Sequence, residues 1–551
     1  MFNKKNFLIL FFIVSILFAY KGAFKSFLIS KKDLLGAQNV FGISFSNEEL
    51  DTLRPYLERN LSGYKKMREY TLGIGVEPIT KFEIKYTKKN NLQDNKIYLE
   101  KTIVPEKDKE IAYLPVYKLA YLIKNQLLTS ERLTKIYLRR LKKHNTSLNV
   151  LVTLTEDLAL KQAKKADEEI KKGDYKGALH GIPYGVKDLA SHPNYPTTWG
   201  AAPYKDQYIK TKAVVIKKLE DAGAVLLGKL SSGALARGDV WFGGKTKNPW
   251  NVNTGSSGSS AGSASATAAG LVGFSIGTET LGSIISPSTR CGVTGLRPTY
   301  GIVSRVGIMS LSWTMDKVGP ICRSSKGCAI VLNKIKGKDE KDSSIQNSSL
   351  VFNEKTFNLN DYKIGYLKSL FDSDSSENGI NNEQTLNLIQ KLGGNLIPIE
   401  LPKNYPFEVF DIILRAEAGA FFDKLLLQRA DSILTQQNQR SRANSLRQSR
   451  FIPAVEYIQA NRFRSKLIQE VDSLLRNFDI IISPTFGGRQ MLITNLTGHP
   501  ALSVPNGFNK NNSPTSITIL GNYFEEGKIL SFSHFIQKQS EFHTKKPPGF
   551  Y

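Results

Sequence analysis

Residues 255–298 read GSSGSSAGSASATAAGLVGFSIGTETLGSIISPSTRCGVTGLRP. Glycine, serine, alanine and threonine dominate, as they do in flexible linkers and where backbone must approach something closely. The linker reading fails inside the stretch itself. The small residues run into an alanine-rich segment, Ala264 to Ala269, and then into LVGFSIG, an apolar run of strand length closed by glycines. The order is a buried turn, a tightly packed helix, a strand, and a second serine-bearing turn at Thr280 to Ser283.

The same alternation extends outward. Upstream, Ala213 to Leu230 reads as a helix stopped by Gly223 and followed by a buried strand from Ala224 to Leu227. GIPYGV, Gly181 to Val186, is a short apolar strand that delivers Lys187 at its end. Before it lie two helices. Thr129-Ser130 opens one whose inner face is Leu133, Ile136, Tyr137 and Leu141. Thr153 and Glu156 resemble a capping box for the second, with Ala159, Ala163, Ala166 and Ile170 as its stripe and Gly173 as its stop. Downstream come KIGYL, a helix near Glu383 to Lys391, and a basic helical region from Phe410 to Leu475. A buried strand at Asp479 to Thr485 follows, then Thr494 to Phe508 as a strand with turns, and a closing strand, turn and helix. An α/β architecture with a large sheet follows.

At 551 residues and 41% hydrophobic content, the chain can bury a large core. Lys+Arg number 75 against 49 Asp+Glu, a net +26 that raises nucleic acid or an anionic surface as partners. The lysines are scattered as doublets and triplets, with no long basic block, so solvated faces are the reading and no nucleic acid is expected. Cys291, Cys322 and Cys328 make no zinc pattern and no dense disulfide framework. Core thiols are the reading, with pairing of Cys322 and Cys328 left open. At the amino terminus, Phe7 to Tyr20 is apolar behind Lys4 and Lys5, which resembles an export signal or a membrane anchor within residues 1–24. The expected location is therefore exported or membrane-anchored, facing outside the cytoplasm, with membrane attachment through that segment. Residues 25–112 read as an accessory region. A tract with the Asn47 to Tyr64 amphipathic pattern lies within it.

Three readings of the serine-rich stretch compete. Gly258-Ser259-Ser260-Ala261-Gly262 satisfies G-x-S-x-G, the elbow of an α/β-hydrolase, but the polar loop NPWNVNTGS precedes it where a strand is required, and His499 is the best later histidine. A phosphate loop lacks its Gly-Lys-Ser/Thr. The third reading joins Lys187 to both serine turns. GSSAGSASATAAG followed by IGTETLGSIISPSTRCGVTGLRPTYG resembles the amidase signature family. GIPYGVKDL, GGKTKNPWN, MDKVGPICRS and TNLTGHPALSVPNGF support the match from about Leu128 to Pro548.

The resemblance implies a three-layer α/β/α fold with a large mixed sheet over residues 113–551, and a Ser-cis-Ser-Lys triad. Carried over by position, Ser283 is the nucleophile, Ser259 the bridging serine on a cis peptide, and Lys187 the base. Backbone N–H groups of Thr280, Leu281, Gly282 and Ser283 form the oxyanion hole. The chemistry is coherent on its own terms. A hydroxyl attacks poorly until a base takes its proton, and a lysine serves only where burial keeps it neutral. The implied activity is hydrolysis of a small-molecule carboxamide through an acyl-enzyme, releasing ammonia or an amine, with no metal and no cofactor. Glu279 and Leu281 stand where the common family turn has Asp and Gly, and Ile285 where an arginine is frequent, which bears on substrate scope. Two alternatives stand beside this reading. One is the glutamine-hydrolysing A subunit of a tRNA-dependent amidotransferase, which the export-type leader and long extension disfavour. The other is a silent membrane-attached binding protein, which would not need Lys187, Ser259 and Ser283 together.

Overall fold

The computed structural model describes residues 28–70 and 93–551. Two compact units divide the chain, one reaching to Tyr70 and taking in Pro406–Val409, the other holding the remainder. In the smaller unit Ser30 and Ser46 open the helices Lys31–Phe41 and Asn47–Glu69. Each serine side chain accepts the N–H three residues on, and Asp33 or Glu49 reaches back to the cap N–H, completing a capping box. The amphipathic reading of this second helix holds: Leu50, Leu53, Leu57 and Tyr64 are buried at helical spacing.

The larger unit is built on an eleven-stranded mixed sheet. Its strands in chain order are β1 (Leu151–Leu154), β2 (Pro183–Lys187), β3 (Val225–Leu230), β4 (Phe274–Glu279), β5 (Thr294–Arg297) and β6 (Lys317–Cys322). They continue with β7 (Ile364–Leu367), β8 (Leu396–Ile399), β9 (Ile480–Pro484), β10 (Ala501–Phe508) and β11 (Pro514–Leu520). In space the order is β1-β3-β2-β4-β6-β5-β10-β11-β9-β7-β8. Strands β3, β2 and β4 run parallel, as do β9, β7 and β8, and the middle of the sheet is antiparallel. Helices cover the sheet in a three-layer α/β/α arrangement. Every residue of β2, β3 and β6 is buried, and the segments GIPYGV and AVLL, which supply much of the first two, accordingly read as short apolar runs and not as alternating ones.

Local chemistry explains where the helices begin. Thr129 caps Ser130–Leu148 by accepting the Arg132 N–H, and Leu133, Ile136, Tyr137 and Leu141 are buried as expected. Thr129→Ala is expected to lower stability by about 1 kcal/mol, read as the urea midpoint, and an unchanged midpoint would argue against the cap. The next helix, Glu156–Lys171, buries the Ala159, Ala163, Ala166 and Ile170 stripe but does not use the expected capping box. Thr153 lies in β1, and Thr155 stands at the cap with its hydroxyl donating instead to the Leu226 carbonyl at 2.6 Å, tying the helix start to β3. A second difference falls at Thr494. The segment Gln490–Thr497 is helical, with the Thr494 hydroxyl donating to the Gln490 carbonyl at 2.8 Å, and Gly498, at φ 80°, closes the helix before β10 begins.

One consequence of the topology positions the site. Strands β2 and β4 are parallel neighbours, with Tyr184, Gly185 and Val186 opposite Phe274, Ser275 and Ile276. Their carboxyl ends therefore open at the same edge, where loops of an open α/β sheet can gather functional groups.

Candidate active site

At that edge Lys187, the last residue of β2, is 1% exposed. Its Nζ donates to Ser259 Oγ at 2.8 Å and to Thr278 Oγ1 at 2.8 Å, with the Thr278 carbonyl at 3.4 Å. Burial pushes the amine down from the ordinary lysine range to about 7, against the opposing pull of Asp316 and then Glu279. Ser259 follows a cis peptide bond from Gly258 and is itself buried. The polypeptide then enters the helix Ala261–Ala268, all of whose residues are buried. Small side chains are needed here: a Cβ on Gly277 of β4 would sit 2.8 Å from Ser260 Oγ.

The second turn follows β4. Thr280 Oγ1 donates to Asp316 at 2.5 Å, Gly282 takes φ 81°, and Ser283 precedes the helix Ile285–Cys291. The two turns are stitched together by the Ser260 N–H, which donates to the Ser283 carbonyl at 3.1 Å. Ser283 is half-buried and, with Gly258, Thr280 and Leu281, lines a cavity of about 630 Å³. Asp239, Arg237, Arg440 and Arg442 also line it, and Arg442 is buried with its guanidinium donating to the Leu235 carbonyl at 2.9 Å and the Ala236 carbonyl at 3.1 Å. Leu281, 37% exposed, presents its side chain here, while Ile285 is buried.

The elbow reading finds no support in this geometry. Ser260 is buried, with its hydroxyl donating to the Thr278 carbonyl and accepting the Thr278 N–H, both at 3.1 Å. His499 is fully buried, stacked on Tyr523 with ring centroids 3.8 Å apart, and bonded through Nδ1 to Thr497 Oγ1 at 2.8 Å. Burial, with Arg297 nearby, holds its pKa well below the usual imidazole range. Sequence reading misses Thr278 and Asp316 as partners of the site. Both lie inside quoted motifs, in TETLGS and MDKVGPICRS, so the signal is present but its geometry is not.

A buried lysine–serine contact at the mouth of an α/β sheet, beside a cavity lined by a second serine, is an arrangement that hydrolytic chemistry can use. Similarity to known proteins makes the class specific. The family model described as Amidase matches residues 132–493. The glutamyl-tRNA(Gln) amidotransferase A subunit of Thermoanaerobacter pseudethanolicus is 30% identical, over 79% of this chain and 98% of that protein. The peptide amidase of Stenotrophomonas maltophilia superposes with a TM-score of 0.69 at 26% identity, over 80% of this chain and 99% of its own. An amidase family protein from Bacillus anthracis superposes at 0.70 and 26% identity, over 81% and 95%. The chain belongs to the amidase signature family. It is an amidase, a hydrolase of amide C–N bonds.

These relatives correct one expectation. Phe7 to Tyr20 suggests an exported or membrane-anchored protein facing outside the cytoplasm, yet the relatives are named for glutamyl-tRNA(Gln), a molecule of the translation machinery. An apolar run behind lysines has the composition of a leader whatever its use, and composition alone carries that reading. The run lies outside the described residues. Among the described residues no helix is long and apolar enough to cross a membrane.

Proposed function

We propose that the chain cleaves a carboxamide through an acyl-enzyme on Ser283, with Ser259 relaying protons to and from Lys187. The observation that carries this reading is the buried 2.8 Å contact between Lys187 Nζ and Ser259 Oγ on the turn joined to Ser283. Ser283 Oγ attacks the carbonyl carbon, its proton passes to Ser259 Oγ, and the Ser259 proton passes to Lys187 Nζ. The carbonyl oxygen, now negative, faces the backbone N–H groups of Thr280, Leu281, Gly282 and Ser283. The C–N bond then breaks as the leaving nitrogen takes the proton back along the relay. Water attacks the ester by the same route, releasing the carboxylic acid and restoring Ser283.

The cavity supports a substrate class. Arginines outnumber the single carboxylate, Asp239, in its lining, and the exposed Arg440 is the one among them best placed to reach a ligand, which favours an amide that also carries an anionic group. A second reading, glutamine hydrolysis of the amidotransferase A-subunit type, is favoured by the named relatives. Ammonia release from the full chain, measured across glutamine, neutral primary amides, aryl amides, fatty amides and short peptide amides, tests both. Activity confined to neutral fatty or aryl amides would reject the anionic class. Arg440 is exposed at the cavity rim, so Arg440→Gln leaves the core intact. It is expected to raise KM for a carboxylate-bearing amide roughly tenfold, the worth of one charge-assisted hydrogen bond. KM for its neutral isostere should hold, and an equal change in both would count against charge recognition.

A further inference from the structure

We propose that Glu279, clamped by Arg297 and Asn495, is the positioning residue of the turn that carries Ser283. The carboxylate is fully buried at the end of β4. Its Oε2 accepts the N–H of Ile284 at 2.8 Å and of Ile285 at 2.9 Å, the two residues directly after Ser283. The acid therefore closes the Thr280–Ser283 turn back onto its own start and caps the helix Ile285–Cys291 from within.

The other oxygen is held from outside the turn. Oε1 accepts from Arg297 Nη1 at 3.0 Å and from Asn495 Nδ2 at 2.9 Å, and Arg297 Nη2 is in turn anchored on the His499 carbonyl at 2.9 Å. Asn495 comes from the helix Gln490–Thr497, which touches the turn at a second point: Met491 Sδ lies 2.6 Å from where a Cβ on Gly282 would stand. With Thr280 pinned to Asp316, the turn is held at both ends and braced on its flank. Such bracing fixes where the nucleophile and the oxyanion donors point, and misplacement of reacting groups by about 1 Å can lower rates about a hundredfold. Burial pushes the Glu279 carboxyl up, but Arg297 and the hydrogen bonds it accepts outweigh that and hold it below its usual range, so the clamp is charged. The charged groups facing it are Arg297 on β5, Lys317 opposite it in register on β6, Asp316 just before β6, and Lys187 on β2.

The clamp's role rests on Ser283 as nucleophile, and the test separates the two. Wild type, Ser283→Ala, Asn495→Ala and Glu279→Gln are compared for fluorophosphonate labelling rate, kcat, KM, the pH profile of kcat/KM, and melting temperature. Asn495→Ala removes one clamp bond and no charge. It is expected to lower kcat and the labelling rate about tenfold, with KM within about twofold and the acid limb unmoved. Glu279→Gln is expected to lower both about a hundredfold and to shift the acid limb to lower pH, because the negative charge that favours the Lys187 ammonium is gone. A purely structural role would lose folded protein without moving the limb. If Ser283→Ala is still labelled, the nucleophile reading falls, and this one with it. If Ser283→Ala is silent while Asn495→Ala labels at the wild-type rate, the clamp alone is rejected. That arm decides even where Glu279→Gln does not fold.

Discussion

Ser283→Ala is expected to abolish amide hydrolysis, with kcat falling on the order of a millionfold, and to end labelling by a fluorophosphonate. The size of the effect follows from the division of labour at the two turns. Ser283 lies on the cavity wall and is half-buried, so it can meet a substrate carbonyl. Ser260 is committed to Thr278 through its hydroxyl, and Ser259 to Lys187. Neither neighbour can take over attack without giving up a bond that holds the site. The proposed oxyanion donors are backbone groups that the substitution would leave in place, so on this reading whatever rate remains reports binding and charge stabilisation alone. A variant that keeps its fold and still labels would require a different nucleophile.

Lys187→Met is expected to lower kcat/KM on the order of a thousandfold while leaving the melting temperature equal or higher. The side chain is buried with its amine among hydroxyls, and burial brings its pKa to about 7. A base acts in its neutral form, so wild-type kcat/KM should rise with pH along a limb centred near 7. The same shift has a thermodynamic signature that does not depend on activity. The folded lysine loses its proton near 7, whereas the unfolded one keeps it up to about 10.5. Between those values the unfolded chain holds more protons, and stability must gain with rising pH from this group. Below about pH 7 both states are protonated and the gain is absent. Subtracting the Lys187→Met stability profile from that of wild type isolates this slope from the other buried lysines. A flat difference from pH 7 to 10.5 would show that Lys187 is charged in the folded protein and cannot serve as the base.

Much of the architecture is legible in local pattern, because helix and strand periodicity is written in near neighbours. The Ala159, Ala163, Ala166 and Ile170 stripe, the GIPYGV strand and the turn–helix–strand–turn order of residues 255–283 all hold. Boundaries slip where a side chain has a distant partner. Thr155 spends its hydroxyl on Leu226 instead of on its own helix, and no spacing rule encodes that choice. The expected location outside the cytoplasm is overturned by the relatives for a related reason, since apolar composition states only that a segment avoids water.

For the site, the sequence by itself determined the candidates: Lys187 at a strand end, and the serines in two small-residue turns. Only the tertiary structure decided how they are held. Lys187 meets Ser259 because β2 and β4 lie parallel in one sheet, and Thr278, 91 residues along the chain, completes its contacts from the second strand. The clamp is further still from local reach. Glu279, Arg297 and Asn495 converge from three elements, the last of them 216 residues along the chain. Periodicity can place a residue on a face. Which faces meet is set by burying the whole sheet at once, and that long-range condition leaves no mark in any single stretch of sequence.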